Sequence, residues 1–309
     1  MTAHGERAVN AASVSVPGAA TDAGGAGPEA GGWGRGGYTM MPGPAGSASS
    51  SGQTGAAAQG AANAANATGA TSENWAGYTS AGNPGTFTSV SASWAQPAVT
   101  CTATDTFSSF WVGLDGDGTD TVEQTGTEAD CNGGAATYQG WFEMFPQAPV
   151  FYDNPVQPGD AMSASVVANG GGAFNLTLAD STQGWTQTTN QASNAAQLGS
   201  AEVIAEAPSD GTGAVLPLSN FGTVSFTNAT ADNTALGNEN PAALTMVSAN
   251  DVTEATPSAL TGGNAFTVTW DSNGTNATAP APADTAAAAT GTGGTSGRHH
   301  HHHDWWFGG

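Results

Sequence analysis

Histidine and lysine carry most acid–base chemistry, and neither occurs between Glu73 and Asp271. Of the chain's 25 acidic residues, all but Glu6, Asp22, Glu29, Asp284 and Asp304 fall in that stretch, 20 in number. It holds no Lys, Arg or His. A Ser-His-Asp triad, a Cys-His pair, a Schiff-base lysine and a His-ligated zinc are therefore excluded from it. Proton transfer there falls to carboxylates, helped by hydroxyls and amides, and suits acid. The other possibility is no catalysis at all.

Three segments concentrate the usable groups. Ala201-Glu202-Val203-Ile204-Ala205-Glu206 reads as a strand with Glu202, Ile204 and Glu206 on one face. The two glutamates would stand about 13 Å apart, too far to share a proton, so a partner must come from another strand. Thr121-Val122-Glu123-Gln124-Thr125-Gly126 puts Gln124 and Val122 on one face and Glu123 on the other. In Tyr138-Gln139-Gly140-Trp141-Phe142-Glu143-Met144-Phe145, the side chains of Gln139, Trp141, Glu143 and Phe145 point one way. Aromatics flanking a carboxylate suit a groove for an extended substrate; they equally suit an ordinary sandwich core. Taken singly, a strand glutamate is a solvated group and a core-facing glutamine a satisfied hydrogen-bonding group.

The elements that must position these residues show a two-residue period. Val90, Ala92 and Trp94 alternate with serines, and Phe174, Leu176 and Leu178 alternate with Asn175 and Thr177. Met162, Ala164 and Val166 follow the same pattern, as do Phe266, Val268 and Trp270. With frequent Gly, Asn, Asp and Pro breaks, this predicts an all-β fold, an antiparallel β-sandwich or barrel, over 72–271. The only weak helical pattern is 190–197, and no internal repeat is present. Residues 1–71 and 272–309 are rich in Ala, Gly, Ser, Thr and Pro and are expected to be disordered.

Several segments together resemble the glutamic peptidases, the eqolisin or pepstatin-insensitive acid peptidase family. They are Asn74-Trp75-Ala76-Gly77, Trp111-Val112-Gly113-Leu114-Asp115-Gly116-Asp117, Gln124-Thr125-Gly126, Trp141-Phe142-Glu143-Met144-Phe145-Pro146 and Ala201–Glu206, in that family's order. The resemblance implies a sandwich of two strongly bent antiparallel sheets and a catalytic pair, Gln124 and Glu206. It also implies a substrate groove lined by Trp111, Asp115, Trp141 and Glu143, with no metal or cofactor. Met144 stands where the family usually has an aromatic, and Gln139 where it has an acid, so the family's subsite preference does not carry over through these two positions. The family's basic prosegment has no counterpart, since residues 1–71 contain only Arg7 and Arg35. Two other readings of the carboxylates are a β-sandwich glycosidase using Glu143 and Glu206, and a non-catalytic carbohydrate-binding module.

Charge sets the working conditions. Net charge is −22, and the carboxylates of 73–271 have no cation to meet. They should repel one another at neutral pH and be largely uncharged near pH 3. An acid-adapted protein is expected; a halophilic or merely soluble acidic surface is the alternative. Nucleic acid is excluded as a partner for want of a basic stripe, and no apolar run is long enough for a membrane span. Cys101 and Cys131, an even pair in a chain that reads as exported, predict one disulfide worth roughly 3 to 4 kcal/mol; two buried free thiols are the alternative. A secreted monomer acting on polypeptides is the expected form, although the start shows no clear signal peptide. The run His299 to His303 reads as a solvated tail or expression remnant rather than a metal site.

Overall fold

Alternating apolar and polar residues, punctuated by turn formers, produce strands almost throughout. A computed structural model describes residues 69–275 and the backbone of Tyr38–Thr39. Most of the two terminal segments, and the histidine run, lie outside the described residues. In chain order the strands are β1 (Tyr38–Thr39), β2 (Ala70–Ser72), β3 (Trp75–Ala81), β4 (Ser89–Ala95), β5 (Ser109–Leu114) and β6 (Val122–Asn132). Next come β7 (Ala135–Phe145), β8 (Val150–Phe151), β9 (Ala161–Ala168), β10 (Ala173–Asp180), β11 (Trp185–Ala192) and β12 (Ser200–Glu206). The last six are β13 (Ser209–Asp210), β14 (Thr223–Ala231), β15 (Thr234–Ala235), β16 (Ala242–Val247), β17 (Thr253–Pro257) and β18 (Phe266–Trp270). One 3₁₀ turn, Leu236–Asn238, is the only helical element among the described residues. No helix there is long and apolar enough to cross a membrane.

The weak helical pattern at 190–197 is not a helix. Asn190 to Ala192 finish β11, and the rest is a loop. Local bonds explain the preference: Ser193 Oγ accepts from the Ala196 N–H, and an Asp115 carboxylate oxygen accepts from the N–H groups of Gln197 and Leu198. Short polar side chains thus offer the backbone partners that a helix would otherwise supply.

The hydrogen-bonded path runs β11-β10-β9-β4-β14-β18-β17-β16-β3-β12-β5-β6-β7-β8, with β15 beside β14 and β2 beside β16. All strand pairs are antiparallel except β2 with β16. The path folds over on itself, so β5 and β6 lie against β9 and β10 while β12 lies against β4 and β14. The result is the expected antiparallel sandwich of two bent layers. Its main core takes Phe110, Val112, Leu114, Phe142, Met144 and Val203 from one layer. The other contributes Trp94, Met162, Val166, Phe174, Leu176, Phe226 and Phe266.

A second cluster covers the opposite face of β3, β12, β5, β6 and β7. It contains Trp75, Ile204, Trp111, Val122 and Trp141, joined by Leu244. Because side chains alternate, this is the face that also carries Glu202, Glu206, Gln124 and Glu143. Cys101 and Cys131 form the predicted disulfide, anchoring the loop before β5 to the far part of β6.

Candidate active site

Glu206 ends β12. Opposite it on β3 is Trp75, and opposite it on β5 is Ser109. Its carboxylate is fully buried and held at both ends: the Trp111 indole Nε1 donates to Oε2 at 2.7 Å, and the Asn74 amide Nδ2 donates to Oε1 at 3.1 Å. Burial pushes the Glu206 carboxyl well above its usual range, and the nearby charge of Glu143 pushes the same way. N–H groups of Trp111, Trp75 and Asn74 pull it back in part. The Trp75 indole N–H makes no hydrogen bond of ordinary geometry, so the first and last of these are the structural contacts.

Two glycines allow Trp111 to reach this carboxylate. A Cβ at Gly113 would come within 2.8 Å of the Trp111 ring, and one at Gly126 within 2.6 Å of its Cβ. With both positions bare, the indole lies down across β5 and β6, braced edge-on by Trp75 with ring centroids 5.0 Å apart. The Trp-x-Gly and Gln-Thr-Gly spacings in the sequence are the local signature of that packing.

Gln124, on β6, faces Gly113 on one side and Glu143 on the other. Its amide Nε2 donates to Glu143 Oε2 at 2.7 Å. Gln124, Glu143, Trp111 and Trp141 are all fully buried. Glu143 links the two halves of the site: it bonds Gln124, and its charge acts on Glu206. Trp141 adds a wall to the same face. No cationic side chain occurs in 73–271 to neutralise the pair. Among the described residues, no group of three or more His, Cys, Asp or Glu is arranged to hold a metal.

Asp115 is placed differently from the other groove residues named from sequence. It is fully buried, at φ 67°, and its two oxygens accept the backbone N–H groups of Gln197, Leu198 and Gly199 at 2.8 to 2.9 Å. Its carboxylate is committed to the loop that leads into β12. Met144 lies on the core face, packed in the main cluster, and so has no place among the groove side chains. Gln139 donates its amide to the Tyr152 carbonyl at 3.0 Å.

The Peptidase A4 family model matches residues 73–270, well over half of the chain. The chain belongs to that family. Peptidase A4 relatives agree with the assignment. Aspergillopepsin-2 of Aspergillus niger is 32% identical over 128 residues, which cover 40% of this chain and 45% of that one. The match thus spans less than half the length of that curated relative. Two crystal structures of Scytalido-glutamic peptidase, one with a peptide-based transition state analog and one with a transition state analog inhibitor, share the fold. Their identities are 24% and 23% and their TM-scores 0.55 and 0.56, each covering 64% of this chain and 98% of the other. As a Peptidase A4 member, the chain has its Gln-Thr-Gly and Ala-Glu-x-x-x-Glu segments on one face of one bent layer. What sequence reading did not assign is the contact of Asn74 with Glu206, two residues 132 positions apart. The Asn74-Trp75 dipeptide was visible, but its role depends on the pairing of β3 with β12.

Proposed function

We propose that the protein is a secreted, acid-active endopeptidase in which Glu206 activates water and Gln124 stabilises the oxyanion. The observation that carries this reading is Glu206 itself: a buried carboxylate with a neutral N–H donor on each oxygen, sharing its face with Gln124 and the charge of Glu143. Ionised Glu206 removes a proton from water as the water oxygen bonds to the scissile carbonyl carbon, with no acyl-enzyme. The carbonyl oxygen takes the negative charge and meets a Gln124 N–H. Protonated Glu206 then gives its proton to the departing nitrogen, the C–N bond breaks, and a carboxylic acid and an amine leave.

An amide nitrogen carries two N–H groups, so anchoring on Glu143 is compatible with donation to substrate. The anchor also fixes which end of the Gln124 amide presents nitrogen. Trp111, Trp141 and Glu143 would line the substrate groove. Asp115 acts at one remove, through the loop it pins. Membership of a peptidase family favours peptides over the sugars that the same carboxylates could serve. The test is hydrolysis at pH 3, with pepstatin present, of casein and of a panel of neutral polysaccharides. Casein fragments with intact polysaccharides support the reading. Sugar release with intact casein overturns it.

A further inference from the structure

Asn74 is a buried polar residue that the reaction above leaves unused, and it sits in a built chain of contacts. Its amide Nδ2 donates to Glu206 Oε1 at 3.1 Å. Its amide Oδ1 accepts from Ser72 Oγ at 3.2 Å, and Ser72 Oγ accepts from the Trp75 backbone N–H at 3.1 Å. The Asn74 carbonyl accepts the N–H of Ala207, the residue after Glu206, at 2.9 Å. Ser72 itself is placed by β2, whose parallel pairing sets it opposite Met246 on β16. Ser72, Asn74 and Glu206 are 5%, 2% and 0% exposed, so water does not compete for these contacts.

The chemistry of the position is selective. A primary amide can present either oxygen or nitrogen to its neighbour, and presenting oxygen to a carboxylate would repel it. The Ser72 hydroxyl, by donating to Oδ1, selects the orientation that turns nitrogen toward Glu206. An aspartate in place of Asn74 would add a second anion. A lysine would neutralise the base and weaken its pull on a proton. A neutral donor stabilises the carboxylate without removing its basicity.

We propose that Asn74, oriented by Ser72, is a positioning residue that keeps Glu206 ionised and fixed for water activation in acid. The proposal rests on Glu206 being the base. Loss of one hydrogen bond to a charged group corresponds to a shift of about one pH unit in its titration. In the full chain, kcat/KM for a peptide substrate, measured from pH 2 to 6, should show its acid limb moved upward by about one unit in Asn74→Ala. The deficit should be largest at the lowest pH and shrink as pH rises, with KM unmoved. Ser72→Ala, a milder change that leaves Asn74 in place, should move the limb the same way by less, and it carries the test should Asn74→Ala fail to fold. Equal loss at every pH in both variants, with the limb unmoved, overturns the proposal and leaves Asn74 a merely structural residue. Failure of the underlying reading looks different: Glu206→Gln would keep wild-type turnover.

Discussion

In the proposed mechanism, an amide at position 124 and a carboxylate at position 206 divide one reaction between a group that never titrates and a group that must. Gln124 keeps its donors at any pH, which suits an oxyanion site that has to function in acid. Removing one such donor costs about 10²- to 10³-fold in turnover. Gln124→Ala should therefore lower kcat by about that factor with little change in KM. An unchanged kcat in steady-state assays at pH 3 would take Gln124 out of the reaction. Glu206 behaves oppositely. Burial and Glu143 raise its carboxyl well above the usual range, so its ionised, basic fraction grows as pH rises. That growth shapes the acid limb of the rate profile.

At the scale of elements, the site depends on contacts that no single strand contains. The two faces of β6 and β12 were legible from the two-residue period alone, which placed Gln124 with Val122 and Glu206 with Ile204. The face of Met144 was equally legible, and it shows why the aromatic-to-Met difference bears on the core rather than on a subsite. Two features were not legible. Asn190 to Gln197 imitates a helix because its polar residues fit one, while the side chains that settle the matter are Ser193 and a distant Asp115. The grip of Asn74 on Glu206 requires knowing that β3 pairs β12. Asp115 itself yields a prediction at this scale. With its carboxylate gone, three backbone N–H groups at the entrance to β12 lose their acceptor. Asp115→Ala should cost about 3 kcal/mol or more in urea denaturation at pH 4. A loss under about 1 kcal/mol would mean that the loop holds without it.

Taken as a whole, the molecule places half of its 20 carboxylates between 73 and 271 inside, with no cation among them. Buried acids without cationic partners stabilise a fold in acid more than at neutral pH, which a hydrated acidic surface of the halophilic kind would not do. Burial raises Glu254 to about 7. Burial with the charge of Asp115 raises Glu123 to about 8. Glu202, buried and facing Asp117 and Asp115, is pushed well above its usual range. Each of these folded-state values exceeds the unfolded one of about 4.3. Their stabilising contribution is therefore complete below about pH 4 and is lost as pH climbs through 7 to 8. Thermal melts followed by circular dichroism should give a higher Tm at pH 3 to 4 than at pH 8; the reverse order would refute acid adaptation. Glu123→Gln should raise Tm at pH 8 by roughly 5 °C or more and leave it nearly unchanged at pH 3. On this account the alkaline limb of activity reports loss of the fold rather than loss of a catalytic proton.

Glu206→Gln tests the central claim most directly, because it keeps the shape and the burial while removing the base. Casein cleavage at pH 3 should fall by about 10³-fold or more. Tm at the same pH should stay within a few degrees of the parent chain, since glutamine keeps the side chain's volume and its place among Trp111, Trp75 and Asn74. A folded Glu206→Gln protein that still cleaves casein at the parent rate would contradict the account.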